Sequence, residues 1–192
     1  FKYSVNGSLH TTTKTVKNNG GTIKMFDDYD FTPYFQLAEQ VQKPAPLHER
    51  LALCEQARPV LAGFVSACLQ EDGELPPSIP FRDYAPIWYM RTGQWEAAAS
   101  YINFCISCKA YFPGDGQAEL QYLNCYRRTA QIALEYISQN PGCLQSQIHK
   151  LLSGSTDKEC LKQFTKFSEL IKKVPYNKTN RLYVAQQRPY GF

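Results

Sequence analysis

The sequence predicts a mainly helical protein, a helical body with β-hairpins at its two ends, and three observations carry that expectation. Apolar residues recur at three- and four-residue spacing through most of the middle of the chain. Proline and glycine clusters cut this pattern into segments of helix length, as at Pro76-Pro77, Gly93, Pro113-Gly114 and Pro141-Gly142. Near both ends the pattern gives way to Thr, Val and Lys arranged around turn-forming residues. With 192 residues, 43% hydrophobic and 20% charged, the chain can bury a proper core and is neither fibrous nor disordered in composition.

The elements follow in order. Asn19-Gly20 sits between Lys14-Thr15-Val16-Lys17 and Thr22-Ile23-Lys24-Met25-Phe26, which predicts a hairpin within residues 1–26. An acidic-aromatic stretch then runs through Tyr29 and Phe31 to Pro33, so that residues 1–45 read as a hairpin and linker. The helical body spans residues 46–117. Leu47, Leu51 and Cys54 share one face, and Val60, Leu61, Phe64, Val65 and Cys68 continue it after Pro59. Proline is tolerated in a first turn but not mid-helix, so a new helix begins at Pro59. Residues 71–80 are a loop. Residues 81–91 and 95–112 then form an antiparallel helical hairpin around Thr92-Gly93-Gln94.

Residues 118–192 hold the most informative pattern. A long helix over 118–139 ends at Asn140-Pro141-Gly142, and a short helix covers 143–152. Thr156 and Glu159 are spaced as a capping box that opens a third helix, with Cys160, Leu161, Phe164, Phe167 and Leu170 facing inward. Lys158, Lys162, Gln163, Thr165, Lys166 and Ser168 are its outward positions. Ile171-Lys172-Lys173-Val174 and Arg181-Leu182-Tyr183-Val184 flank a centre of turn formers, the pattern of a second hairpin.

Two resemblances follow from these residues. Tyr89, Gly93, Trp95, Ala98, Ile102 and Cys105 resemble the second half of a single tetratricopeptide-type repeat, in which Ala98 would let two helices approach closely. Further on, Ala133-Leu134-Glu135-Tyr136-Ile137, Asn140-Pro141-Gly142, the stretch Gln145-Ser146-Gln147-Ile148-His149-Lys150-Leu151-Leu152 and the two hairpin arms resemble the winged helix-turn-helix superfamily over roughly residues 126–185. That resemblance implies a third helix entering the major groove and a wing touching the DNA backbone. Lys158, Lys162, Gln163, Thr165 and Lys166 would then face DNA from the helix, and Lys172, Lys173, Lys178 and Arg181 would contact phosphates from the wing.

Charge agrees with an anionic partner. Residues 143–192 carry nine cations and three anions, a net +6, while the preceding residues carry a net −2. Gln163 is the best adenine reader in the third helix. That helix has no arginine, and Asp157 and Glu159 would repel phosphates, so the expectation is backbone docking and not sequence readout.

Other chemistry finds less support. Cys105 and Cys108 form a C-x-x-C with no second ligand pair, inside a helix and not at its N-terminus, so buried packing outranks zinc or redox use. His10, His48 and His149 show no ligand spacing, and no nucleophile has a recognisable partner set. No phosphate-cradling glycine motif occurs. The expectation is therefore a protein that is no enzyme and needs no cofactor or metal. Its function would be that of a DNA-binding or DNA-associated regulatory module, with double-stranded DNA as partner. The alternative is a protein-interaction module in a larger assembly, with a protein partner or self-association through the helical body. A third reading makes the chain the accessory part of an enzyme whose catalytic domain lies elsewhere. No run of 18 apolar residues is present, so no membrane span is expected. Seven cysteines without a framework and no apolar leader in the first ten residues point to reduced thiols and a cytoplasmic location. A chain opening on Phe1 reads as a piece of something longer.

Overall fold

The computed structural model describes residues 29–185, so the hairpin expected over residues 1–26 lies outside the described residues. Helices α1 (Thr32–Gln42), α2 (Leu47–Gln56), α3 (Arg58–Glu71), α4 (Pro80–Thr92) and α5 (Trp95–Ser107) precede a long α6 (Asp115–Gln139). After it come β1 (Cys143–Leu144), α7 (Gln145–His149), α8 (Ser155–Phe167), β2 (Ile171–Tyr176) and β3 (Thr179–Val184). The strands make one antiparallel sheet in the order β1-β3-β2. The chain is mainly helical, as expected. No helix among the described residues is long and apolar enough to cross a membrane.

Helix α1 falls where the sequence reading has only a linker. Pro33 sits in its first turn, and the Asp30 carboxylate accepts the Thr32 N–H at 2.9 Å. The Thr32 hydroxyl, and then this N–H, hold the Asp30 carboxyl below its ordinary range. Its buried face is short, just Tyr34, Ala38 and Val41. Tyr34 stacks on Phe64 of α3 with ring centroids 3.7 Å apart and planes 3° from parallel.

Proline starts two of the other helices without losing a bond, because N–H groups of a first turn have no intrahelical acceptor. Pro59 sits in the first turn of α3 and Pro80 in that of α4. Ser78 Oγ donates to the Asp83 carboxylate at 2.9 Å and the Ile79 N–H does so at 3.0 Å, which ties the preceding loop to α4. Arg82, buried in the same turn, donates to Asp83 at 2.7 Å, to the Ala110 carbonyl at 3.0 Å and to the Pro77 carbonyl at 3.1 Å. One guanidinium thus joins the loop before α4, α4 itself and the turn that follows α5.

Helices α4 and α5 pack on each other around fully buried Ala98, with Tyr89, Ile102 and Cys105 in the same core. Helix α5 is shorter than expected, ending at Ser107, because Lys109 takes a left-handed φ of 62° and the chain turns before Phe112. The expected capping box of α8 is not formed either. The helix starts at Ser155 with Gly154 before it, and Glu159 bonds Gln163 and Lys162 instead of reaching back. Where a short helix was expected over 143–152, the first two residues are a strand that pairs Cys143 with Leu182 and Leu144 with Arg181. One apolar cluster runs from Tyr34 through α6 to Leu182.

Candidate nucleic-acid interface

Helix α8 is the element that decides whether positive charge is presented outward. At 100° per residue, Cys160, Leu161, Phe164, Thr165 and Ser168 fall on one side, and all are buried. Phe164 meets Tyr126 of α6 edge-on at 6.1 Å. Lys162 and Lys166 lie on the other side, and Lys158, about 20° round the helix from Thr165, stands at its border, the three following at four-residue steps about 6 Å apart along the axis. Lys162 and Lys166 are exposed and Lys158 is partly so.

Thr165 does not belong to that stripe. It was expected to face outward, yet it is only 5% exposed. Its hydroxyl donates to the Leu161 carbonyl at 2.9 Å and lies 3.2 Å from that of Lys162, which lets a polar side chain sit on the packed face. Ser168, also expected outward, is buried because its hydroxyl donates to the Arg91 carbonyl at 3.2 Å.

Intramolecular partners occupy several other predicted groups. The Gln163 amide donates to Glu159 at 2.8 Å, and Lys162 stands 3.6 Å from the same carboxylate. Lys166 lies over the Phe167 ring at 4.8 Å. Asp157, expected to repel phosphates, accepts from the Cys125 thiol at 3.1 Å and pairs with Arg128, so its charge is largely answered within the protein. Those contacts hold its carboxyl below the ordinary range.

The sheet splits the hairpin cations between its two faces. Residues directly opposite in an antiparallel pair share a face, and the register pairs Lys173 with Leu182 and Ile171 with Val184. Leu182 and Ile171 are buried, so Lys173 lies on the helix-facing side, where its ammonium donates to the Lys166 carbonyl at 2.7 Å. A cation there satisfies a carbonyl in the last turn of α8 and complements the helix dipole. Lys172 pairs with Tyr183 and Val174 with Arg181, which puts Lys172 and Arg181 on the other face. Arg181 stacks on Tyr176 at 4.1 Å. Lys178 sits in the two-residue turn between β2 and β3, exposed.

The structure thus brings Lys158, Lys162, Lys166 and Lys173 together, adds Lys178 at the hairpin tip, and separates Lys172 and Arg181 from them. Cys105 of the C-x-x-C is buried within α5, and burial pushes its thiol up to about 12. The sequence reading missed Arg50 and Arg91, which lie partly buried beside Trp88 and Phe167; neither sits in a motif, so no sequence signal marks them. No protein-family model matches the chain, and no curated protein and no solved structure matches it either.

Proposed function

We propose that the segment from α6 to β3 is a winged helix-turn-helix unit that docks on the backbone of duplex DNA without reading its sequence, as part of a non-catalytic regulatory module. The single observation that carries this reading is the lysine row of α8, which runs from the border of the packed face at Lys158 to exposed Lys162 and Lys166, with Lys173 of the sheet bonded to the Lys166 carbonyl. Phosphate backbones bind such a stripe by releasing counterions, which needs cations in a row and no directional donors. The order of helices followed by a β-hairpin supports the superfamily likeness. The Glu159 contact on Gln163 supports backbone docking over base readout, because the group best suited to adenine is already engaged.

The test is the affinity for a labelled duplex of arbitrary sequence across about 50–200 mM salt. Binding should weaken steeply with salt, and changing Lys158, Lys162 and Lys166 together to Ala should reduce the slope by about 0.9 per lysine. Thr165→Val, inside the packed face, should leave affinity within about twofold. A slope untouched by the triple change removes the reading.

A protein partner is the second reading, and a different surface favours it. A cavity of about 670 Å³ is lined by Leu69, Leu75, Ile106, Tyr111 and Phe112, with Lys109 beside them and none of the α8 lysines. Binding there would tolerate salt.

A further inference from the structure

Among the described residues, Arg58, Arg82, Arg127 and Arg128 each pair with a carboxylate, on Glu55, Asp83, Glu96 and Asp157 respectively. Arg50 of α2 and Arg91 of α4 have no such partner there and make no side-chain hydrogen bond. Both are nevertheless partly buried. The Arg50 guanidinium lies over the Trp88 ring at 5.2 Å and that of Arg91 over Phe167 at 4.5 Å. Trp88 and Arg91 are one turn apart on α4, and α2 packs against α4, so the two cations belong to one patch. Lys166 lies over the same Phe167 ring at 4.8 Å.

This arrangement is costly without an anion. The Nε atoms of both arginines are sealed from solvent and meet no acceptor among the described residues, and buried donors normally find one. Burial pulls the Arg91 guanidinium below its ordinary range, Tyr126 opposes this, and the Arg50 charge adds to it. Glu169 acts on Arg91 through space but forms no ion pair with it. The patch is also fixed in place. The Arg91 carbonyl accepts from the Glu169 N–H at 3.0 Å and from Ser168 Oγ at 3.2 Å, which locks the end of α4 to the end of α8.

We infer that Arg50 and Arg91, with Lys166 beside them, form a binding site for a phosphoryl group at the junction of α2, α4 and α8. Two guanidiniums and an ammonium suit a multiply charged oxyanion better than a single carboxylate, since each guanidinium presents parallel N–H donors to paired oxygens. Tyr84 stacks on Trp88 at 5.4 Å and 18°, so a flat aromatic shelf adjoins the cations. The inference does not rest on the duplex reading, because its two arginines lie on α2 and α4, and Lys166 is the single residue it shares with the outer stripe of α8. The phosphoryl group could arrive on a small molecule or on a nucleic-acid backbone, and the experiment separates these sources.

Inorganic pyrophosphate is titrated into the intact protein against sodium chloride of matched ionic strength, with melting temperature and titration calorimetry as readouts. At about 100 times its Kd, pyrophosphate should raise the melting temperature by about 5–10 °C. Arg50→Gln and Arg91→Gln should each abolish the rise, while Arg127→Gln and the doubly changed Lys158→Ala, Lys162→Ala protein should keep it. Arg91→Lys keeps the charge but loses the paired donors, and should weaken binding about tenfold or more even if the Gln variants fail to fold. A short duplex displacing pyrophosphate would assign the site to the nucleic-acid backbone, and no competition would assign it to a small phosphorylated ligand. Absence of any heat and any rise in the unmodified protein overturns the proposal, as does an equal rise in Arg91→Lys.

Discussion

Replacing Gly93 with alanine tests the joint between the helical hairpin and the C-terminal sheet. Gly93 ends α4 with a φ of 78°, and the Gln94 N–H behind it reaches the Tyr89 carbonyl at 2.9 Å. Holding alanine in that left-handed stop costs about 1 kcal/mol. The new Cβ would also lie 3.0 and 3.2 Å from the two methyls of Leu170, so Leu170 must move. Its backbone resists, because its carbonyl accepts from the Ala185 N–H at 2.8 Å and its own N–H donates to Ser168 Oγ at 3.1 Å. With about 1–2 kcal/mol added for overpacking, Gly93→Ala should destabilise the protein by about 2–3 kcal/mol, or about 4–12 °C in melting temperature. Leu170→Ala in the same chain removes the obstruction and leaves the dihedral cost. The double variant should therefore lose about 1 kcal/mol less than the two single losses combined, measured by urea denaturation followed by circular dichroism. Additivity within about 0.3 kcal/mol would mean that Leu170 does not cover Gly93, and the reasoning about this joint would fail.

Acid should weaken the α6–α8 clamp. The Cys125 thiol and Arg128 hold Asp157 below its ordinary value of 3.8 in the folded chain, so its contribution is complete at neutral pH and is lost as pH falls below about 4 through the folded pKa. The stability gap between the parent and Asp157→Asn should shrink towards pH 2 in urea titrations, and a constant gap would rule the clamp out. The thiols give an independent check on burial. Cys54, Cys105 and Cys160 are pushed up to about 12 from an ordinary 9, which lowers their thiolate fraction at neutral pH by about 1000-fold. Timed iodoacetamide labelling read by peptide mass should modify half-buried Cys108 and Cys125 first; early labelling of Cys160 would contradict its place on the packed face of α8.

Long apolar stripes and prolines were enough to predict α2 to α6 and the final hairpin, because both signals are local. What escaped was set by partners. Helix α1 has just three buried positions set among Gln, Glu and Thr, and becomes a helix by stacking Tyr34 on Phe64, far along the chain. Strand β1 is two residues long, too short for any period, and exists because β3 leaves an edge for it. Thr165 looks like a surface residue by type, yet its hydroxyl finds acceptors within its own helix, so burial costs it little. The lysine stripe of α8 was legible from spacing. The Arg50–Arg91 patch was not, since it arises where α2, α4 and α8 meet.

The division of the hairpin cations limits what a duplex could feel. Sequence alone offers Lys158, Lys162, Lys166, Lys172, Lys173, Lys178 and Arg181 as phosphate contacts, seven cations that would give a salt slope near −6 at about 0.9 per contact. Pairing register removes two of them, because Lys172 and Arg181 share a face with Tyr183 and lie across the sheet from Lys173. Five are left, Lys158, Lys162, Lys166 and Lys173 with Lys178 at the hairpin tip, which would cap the slope near −4.5 at about the same increment. Lys173 spends one donor on the Lys166 carbonyl and keeps two, so it still counts as a contact while bracing the sheet against the helix. Because the Arg91 carbonyl also fixes the end of α8 to α4, the stripe is held in place before any ligand arrives. Docking would still have to order the exposed lysine side chains, at about 0.5–1.5 kcal/mol each, so the affinity of such a surface would be set by the number of cations it presents against that cost.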